Sequence, residues 1–174
     1  MFKWFKHYWL DPEFNRKKKF LQEVSFFKNV PRHEFGRLFQ ALALRNYPAG
    51  ETLFKEGDVG RALFILEWGQ VEITRQNATG QAQSLAVLGP GDYFGEMSLL
   101  DDQPRTASAK AVTPSRVYLL YKAELDALLQ RAPRAGAAIM AHLAEVLAAR
   151  LRYSMDRSRA AQAKTAKPLV EQVV

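Results

Sequence analysis

Between residues 40 and 121 the apolar positions come in short runs, many of them alternating, and each run stops at a cluster of Gly, Pro, Asn or Asp. Period-two runs closed by turn chemistry predict strands, here Leu42–Tyr47, Thr52–Lys55, Ala62–Glu67, Val71–Arg75, Ser84–Leu88, Asp92–Phe94, Thr106–Val112 and Arg116–Tyr121. The turns fall at Pro48-Ala49-Gly50, Glu56-Gly57-Asp58, Trp68-Gly69-Gln70, Asn77-Ala78-Thr79-Gly80 and Gly89-Pro90-Gly91-Asp92. Eight short strands at this spacing point to a closed roll rather than a parallel sheet. On either side the period changes to that of helices. Phe14 to about Gln22 and Pro31 to about Leu42 read as helices, the second with Phe35, Leu38, Phe39 and Leu42 on one face. Lys122–Gln130 reads as a short helix, and Pro133, suited to a first helical turn, opens a long one to roughly Arg159. Its stripe of Ile139, Leu143, Val146, Leu147, Leu151 and Met155 is broad enough to pack on something.

The expected fold is therefore mainly β with flanking α: an eight-stranded antiparallel β-roll (a jelly roll or double-stranded β-helix) with N-terminal helices and a long C-terminal helix. The chain divides into an aromatic, basic segment at 1–22, a body with its closing helix at 23–159, and a flexible tail at 160–174, small and polar and interrupted by Pro168.

Composition narrows the chemistry. The 174 residues, 48% hydrophobic and 25% charged, suit one globular domain with extensions. There is no cysteine, so disulfides, thiolate metal sites and cysteine nucleophiles are excluded together, in keeping with a reducing cytoplasm. His7, His33 and His142 fall in different elements, and no metal is expected. No apolar run approaches the ~18 residues of a membrane span, and the start lacks the apolar core of an export signal.

The net charge of +7 is unevenly placed. Residues 1–20 hold six Lys and Arg against two acids, 130–174 eight against three, and the central 21–129 eleven against thirteen. The body is thus no basic nucleic-acid surface. At the start, Phe2, Trp4, Phe5, Tyr8 and Trp9 would share one side of a helix with Lys3, Lys6 and His7 opposite. Such a face, followed by Arg16-Lys17-Lys18-Lys19, suits an anionic membrane, a protein groove, or folding back on the chain's own roll.

One short segment carries recognisable chemistry. Phe94-Gly95-Glu96-Met97-Ser98-Leu99 leads within one loop to Pro104-Arg105-Thr106-Ala107, placing an Arg nine positions after a Glu. This resembles the phosphate-binding cassette of the cyclic nucleotide-binding domain family, found in catabolite activator-type regulators, kinase regulatory subunits and gated channels. The preceding order is similar as well: Ala49-Gly50-Glu51, Glu56-Gly57-Asp58, Leu63–Leu66 followed by Gly69, then Gly91-Asp92-Tyr93-Phe94. The likeness extends over about residues 25–155.

What the resemblance implies also makes chemical sense. A cyclic nucleotide carries one phosphodiester charge, which the planar fork of Arg105 would neutralise with charge-assisted hydrogen bonds. A carboxylate such as Glu96 accepts from the ribose 2′-hydroxyl, and Gly95 lets the backbone approach the sugar. Met97-Ser98-Leu99-Leu100 would form a helical turn, and backbone N–H groups at Ser98 and Thr106 would complete the cradle, with Phe94 and Ala107 flanking it. In that family the last long helix closes over the base, which points to Leu143, Leu147 and Arg150. Thr106 resembles the cyclic GMP-selective members, yet Ser or Thr also stands there in bacterial members that take cyclic AMP. The reading favours cyclic AMP, with cyclic GMP as the second choice.

Transcription-factor members continue from the long helix into a winged helix-turn-helix, for which the residues after Arg159 are too few, so direct DNA binding is not expected. No nucleophile–base pair or catalytic carboxylate pair emerges, and no enzyme is expected. The function read from the sequence is a cytoplasmic cyclic nucleotide sensor acting through a protein partner or a homodimer, with peripheral membrane contact through residues 1–19 as a further option. The competing reading is a ligand-independent scaffold that docks a protein or membrane.

Overall fold

The computed structural model describes residues 12–101 and 103–165. Helix α1 (Pro12–Glu23) is followed by a 3-10 turn (Ser25–Phe27) and helix α2 (Phe35–Ala41). Eight strands then run as β1 (Leu42–Tyr47), β2 (Thr52–Phe54), β3 (Ala62–Trp68), β4 (Val71–Gln76), β5 (Ala82–Leu88), β6 (Tyr93–Phe94), β7 (Ser108–Ala111) and β8 (Ser115–Tyr121). The four-residue helix α3 (Met97–Leu100) stands between β6 and β7, and α4 (Lys122–Arg131) and α5 (Pro133–Thr165) close the order. The strands form two four-stranded antiparallel sheets, β1-β8-β3-β6 and β2-β7-β4-β5. This is the eight-stranded roll with flanking helices that the pattern predicts.

The interior of the roll is built by every second residue of facing strands. Ala62, Phe64 and Leu66 of β3 meet Val71 of β4, Ala109 and Ala111 of β7, Val117 and Leu119 of β8, and Phe94 of β6. Leu63 and Ile65 are equally buried, on the other side of the sheet, where Tyr118, the register partner of Ile65, stacks on Phe20 of α1 at 5.8 Å. A sheet covered on both faces explains why Ala62–Leu66 reads as an unbroken apolar run rather than an alternating one.

The structure falls into two units, residues up to Ile139 and residues from Met140 onward. The roll and α1 to α4 belong to the first. The second holds most of α5, where Leu151, Tyr153 and Met155 are exposed.

Several boundaries differ from the sequence expectation. The helix expected from Pro31 begins at Phe35, because Glu34 and Phe35 donate to the carbonyls of Pro31 and Arg32, three-residue closures that do not propagate as α-helix. The strand expected from Thr106 begins at Ser108, since the backbone of Arg105 is already paired with the turn at Gly57 and Asp58. The last helix runs to Thr165 rather than ending near Arg159, so the stretch read as a tail from 160 is helical for its first residues. The aromatic face at residues 1–10, and residues 166–174, lie outside the described residues.

Two of the four cations at Arg16–Lys19 are engaged within the fold. Lys17 turns inward, donating to the carbonyls of Phe39 (2.6 Å) and Leu42 (3.0 Å) at the C-terminal end of α2, with its ammonium 5.3 Å from the Tyr118 ring centroid. A cation there meets carbonyls that the helix leaves without partners. Arg16 pairs with Glu67 at 3.3 Å, a carboxylate that Arg116 also holds at 2.9 Å. With Phe14 edge-on to Phe39 at 5.4 Å, these contacts fasten α1 to the rest of the first unit.

Tyr118 has its phenol pushed up to about 12, by burial first and then by the neighbouring Glu67 carboxylate. A phenol whose folded value lies above its unfolded value of ~10 stabilises the fold while protonated, and that contribution fades as pH rises through the folded value. Tyr118→Phe is therefore expected to flatten the loss of stability between about pH 10 and 12 in denaturant titrations. At neutral pH it should cost only the ~1 kcal/mol of one hydrogen bond, to Glu67. An unchanged alkaline limb would contradict this.

Candidate ligand-binding site

Strand β6 delivers Phe94 to the interior, and Gly95, at φ +77, turns the chain so that Glu96 stands immediately before α3. Only glycine takes that backbone conformation without strain, and a Cβ at Gly95 would also lie 2.5 Å from Arg105 Nη1. From the other side the chain returns at Arg105. Its N–H donates to the Asp58 carbonyl (2.8 Å) and its carbonyl accepts from Gly57 (2.9 Å), while Pro104 bridges to Val59. Two segments remote in sequence thereby fix where the arginine side chain starts.

That side chain runs into the roll and is only 6% exposed. Nη1 donates to the Gly95 carbonyl (2.9 Å) and to Ser98 Oγ (3.1 Å), and Nη2 donates to the Ala62 carbonyl (2.8 Å). The guanidinium carbon lies 4.3 Å from the ring centroid of Phe54 and 5.3 Å from that of Phe64. Burial lowers the pKa of Arg105, opposed by the Glu96 and Asp58 carboxylates, which favour the charged form. An arginine stays cationic under such pressure. Its Nε is buried without a hydrogen-bond partner. An unsatisfied donor on a buried cation is costly unless something anionic arrives to meet it. Glu96, 1% exposed, supplies a buried carboxylate to the same neighbourhood.

The residues singled out from the sequence thus separate into groups. Gly95, Ser98 and Arg105 are in direct contact, and Glu96 acts electrostatically on the same guanidinium. Phe94 belongs to the core, its ring stacked on Phe64 at 5.2 Å and 12°, and Leu99 is buried. Met97 and Thr106 are exposed and Ala107 is half-buried. Leu143, Leu147 and Arg150 follow one face of α5 in the second unit, the first buried, the second half-buried and the third exposed. Among the described residues no cluster of His, Asp or Glu could hold a metal ion.

Sequence reasoning missed the groups that hold the arginine from outside the loop: Ala62 with its carbonyl, Phe54 and Phe64 with their rings, and Gly60, which packs against the guanidinium. No local signal marks them, because each lies about forty or more residues from Arg105 in sequence.

Residues 44–132 match the cyclic nucleotide-binding domain family. The chain is 45% identical over 109 residues to the cyclic AMP receptor protein of Thermus thermophilus, covering 62% of this chain and 48% of that protein. It is 37% identical over 116 residues to the cAMP-dependent protein kinase regulatory subunit of Aspergillus niger, covering 65% of this chain and 28% of the other. The chain thus spans less than half the length of either relative. Among solved structures, a cyclic nucleotide-binding domain from Methylobacillus flagellatus superposes with a TM-score of 0.72 at 25% identity, covering 95% of this chain and 97% of that one.

Proposed function

Since the chain belongs to the cyclic nucleotide-binding domain family, whose relatives here are regulatory proteins, we propose that it is a sensor that takes cyclic AMP in the roll, with cyclic GMP as the weaker ligand. The observation that carries this reading is the buried Arg105 guanidinium with its Nε unengaged, beside a buried carboxylate at Glu96. A singly charged phosphodiester matches the arginine, and a ribose hydroxyl matches the carboxylate. Backbone N–H groups at Ser98 and Thr106 complete the cradle in this reading. The names of the relatives, a cyclic AMP receptor and a cAMP-dependent regulatory subunit, support adenine over guanine. The signal leaves through α5 to a protein partner or a second copy of the chain, and the protein does no chemistry on its ligand.

Calorimetric titration of nucleotide-free protein tests the reading. Saturable one-site heat is expected with cyclic AMP, a weaker isotherm with cyclic GMP, and little with 5′-AMP, whose open phosphate carries a different charge and shape. No heat and no thermal shift with either cyclic nucleotide at millimolar concentration would sink it in favour of a ligand-independent scaffold.

A further inference from the structure

Gly60 lies in the connection between β2 and β3 and is buried. A Cβ built on it would stand 2.4 Å from Arg105 Nε, 2.6 Å from Arg105 Cζ and 2.6 Å from Ser98 Oγ. Its backbone is outside the left-handed region, so conformation does not require glycine there; the close approach does. The three atoms it would strike are the site's own: the unengaged donor, the guanidinium carbon, and the hydroxyl that holds Nη1.

We infer that Gly60 is a positioning residue of this site: its bare Cα is what allows the Arg105 guanidinium to lie inside the roll with Nε available to an anionic oxygen. This rests on the proposed nucleotide reading for the identity of the anion, but not for the placement of the arginine. The clash falls on the guanidinium at Nε and Cζ as well as on Ser98 Oγ, so a methyl group cannot be accommodated by moving Ser98 alone. The guanidinium must shift, and with it the bonds from Nη1 and Nη2 to Gly95 and Ala62. A lysine at 105 would still place Cε and Nζ where Nε and Cζ now stand, whereas an alanine ends at Cβ and leaves the methyl at 60 no guanidinium to displace.

The test is a double-mutant cycle on the full chain with two readouts, cyclic AMP affinity by calorimetry and the Arg105 Nε–Hε resonance by ¹H–¹⁵N NMR. In the nucleotide-free wild type that resonance should be protected from solvent exchange, and cyclic AMP should shift it. Gly60→Ala should displace or lose it without any nucleotide and weaken cyclic AMP binding about thirtyfold or more, the scale of disturbing a buried charge pair. Arg105→Ala should weaken binding as well, and Gly60→Ala combined with Arg105→Ala should bind no worse than Arg105→Ala alone. Gly80→Ala is the control, since φ +78 strains the turn between β4 and β5, away from Arg105, while nothing lies within 4 Å of the added carbon. It should leave the resonance and the affinity in place.

An unmoved resonance in Gly60→Ala, affinity within twofold of wild type, or additive losses in the cycle would each overturn the inference. A wild type that ignores cyclic AMP while Gly60→Ala still displaces the resonance would overturn the nucleotide reading and leave the positioning role standing.

Discussion

Replacing Arg105 by alanine is expected to weaken cyclic nucleotide binding by about 2–5 kcal/mol, from roughly thirtyfold to several thousandfold, because on the proposed function it removes the cation that would meet the buried phosphodiester. The effect on the fold should be smaller, for two opposed reasons. Truncation leaves the carbonyls of Gly95 and Ala62 without the donors they now have, which is unfavourable. It also relieves the desolvation of a guanidinium that is 6% exposed, which is favourable. A thermal melt run beside the calorimetry separates the two quantities. Arg105→Lys sharpens the reading, since a lysine keeps the charge and loses the fork. If charge alone mattered, lysine would bind as arginine does; an intermediate affinity is expected instead. Equal affinity in wild type and Arg105→Ala would remove Arg105 from the site altogether.

The loop carrying Glu96 and Arg105 was legible because its chemistry is contiguous: a glycine, an acid, a helical turn and an arginine within one segment. The strands were legible because turn residues punctuate them. What could not be read is what the chain achieves at a distance. Lys17 sits in a run of cations that by sequence belongs in solvent, yet its ammonium finds the carbonyl end of α2 at Phe39 and Leu42. The alternation from Thr106 looks like strand, but pairing of Arg105 with Gly57 and Asp58 delays β7 to Ser108. Pro31 resembles a helix start, and only the three-residue closures onto Pro31 and Arg32 show why the helix waits until Phe35. Gly60 carries no turn signature of its own. Its importance appears only when Arg105 is laid across it.

The largest loss of stability is expected from Phe64→Ala. Phe64 is 4% exposed and joins three neighbours at once: Phe94, stacked at 5.2 Å, Phe54, tilted at 5.2 Å, and the Arg105 guanidinium at 5.3 Å. Emptying such a position removes buried apolar surface and leaves a cavity that flanking strands cannot close, a cost of about 3–5 kcal/mol. That is a large share of the ~5–15 kcal/mol by which domains are stable, so the variant should melt at markedly lower temperature and be studied in the cold. It should also bind nucleotide more weakly, for Phe54 and the Arg105 guanidinium both lose the ring they pack against. Phe64→Leu separates these effects. Leucine fills most of the space and should cost less than about 1.5 kcal/mol of stability, but it offers the guanidinium no π face. A leucine variant that folds well and binds a few-fold more weakly would assign the aromatic ring a direct part in holding Arg105. One that binds as wild type would mean that Phe64 serves the site only by filling the core, and that Phe54, whose ring is nearer at 4.3 Å, supplies the cation contact by itself.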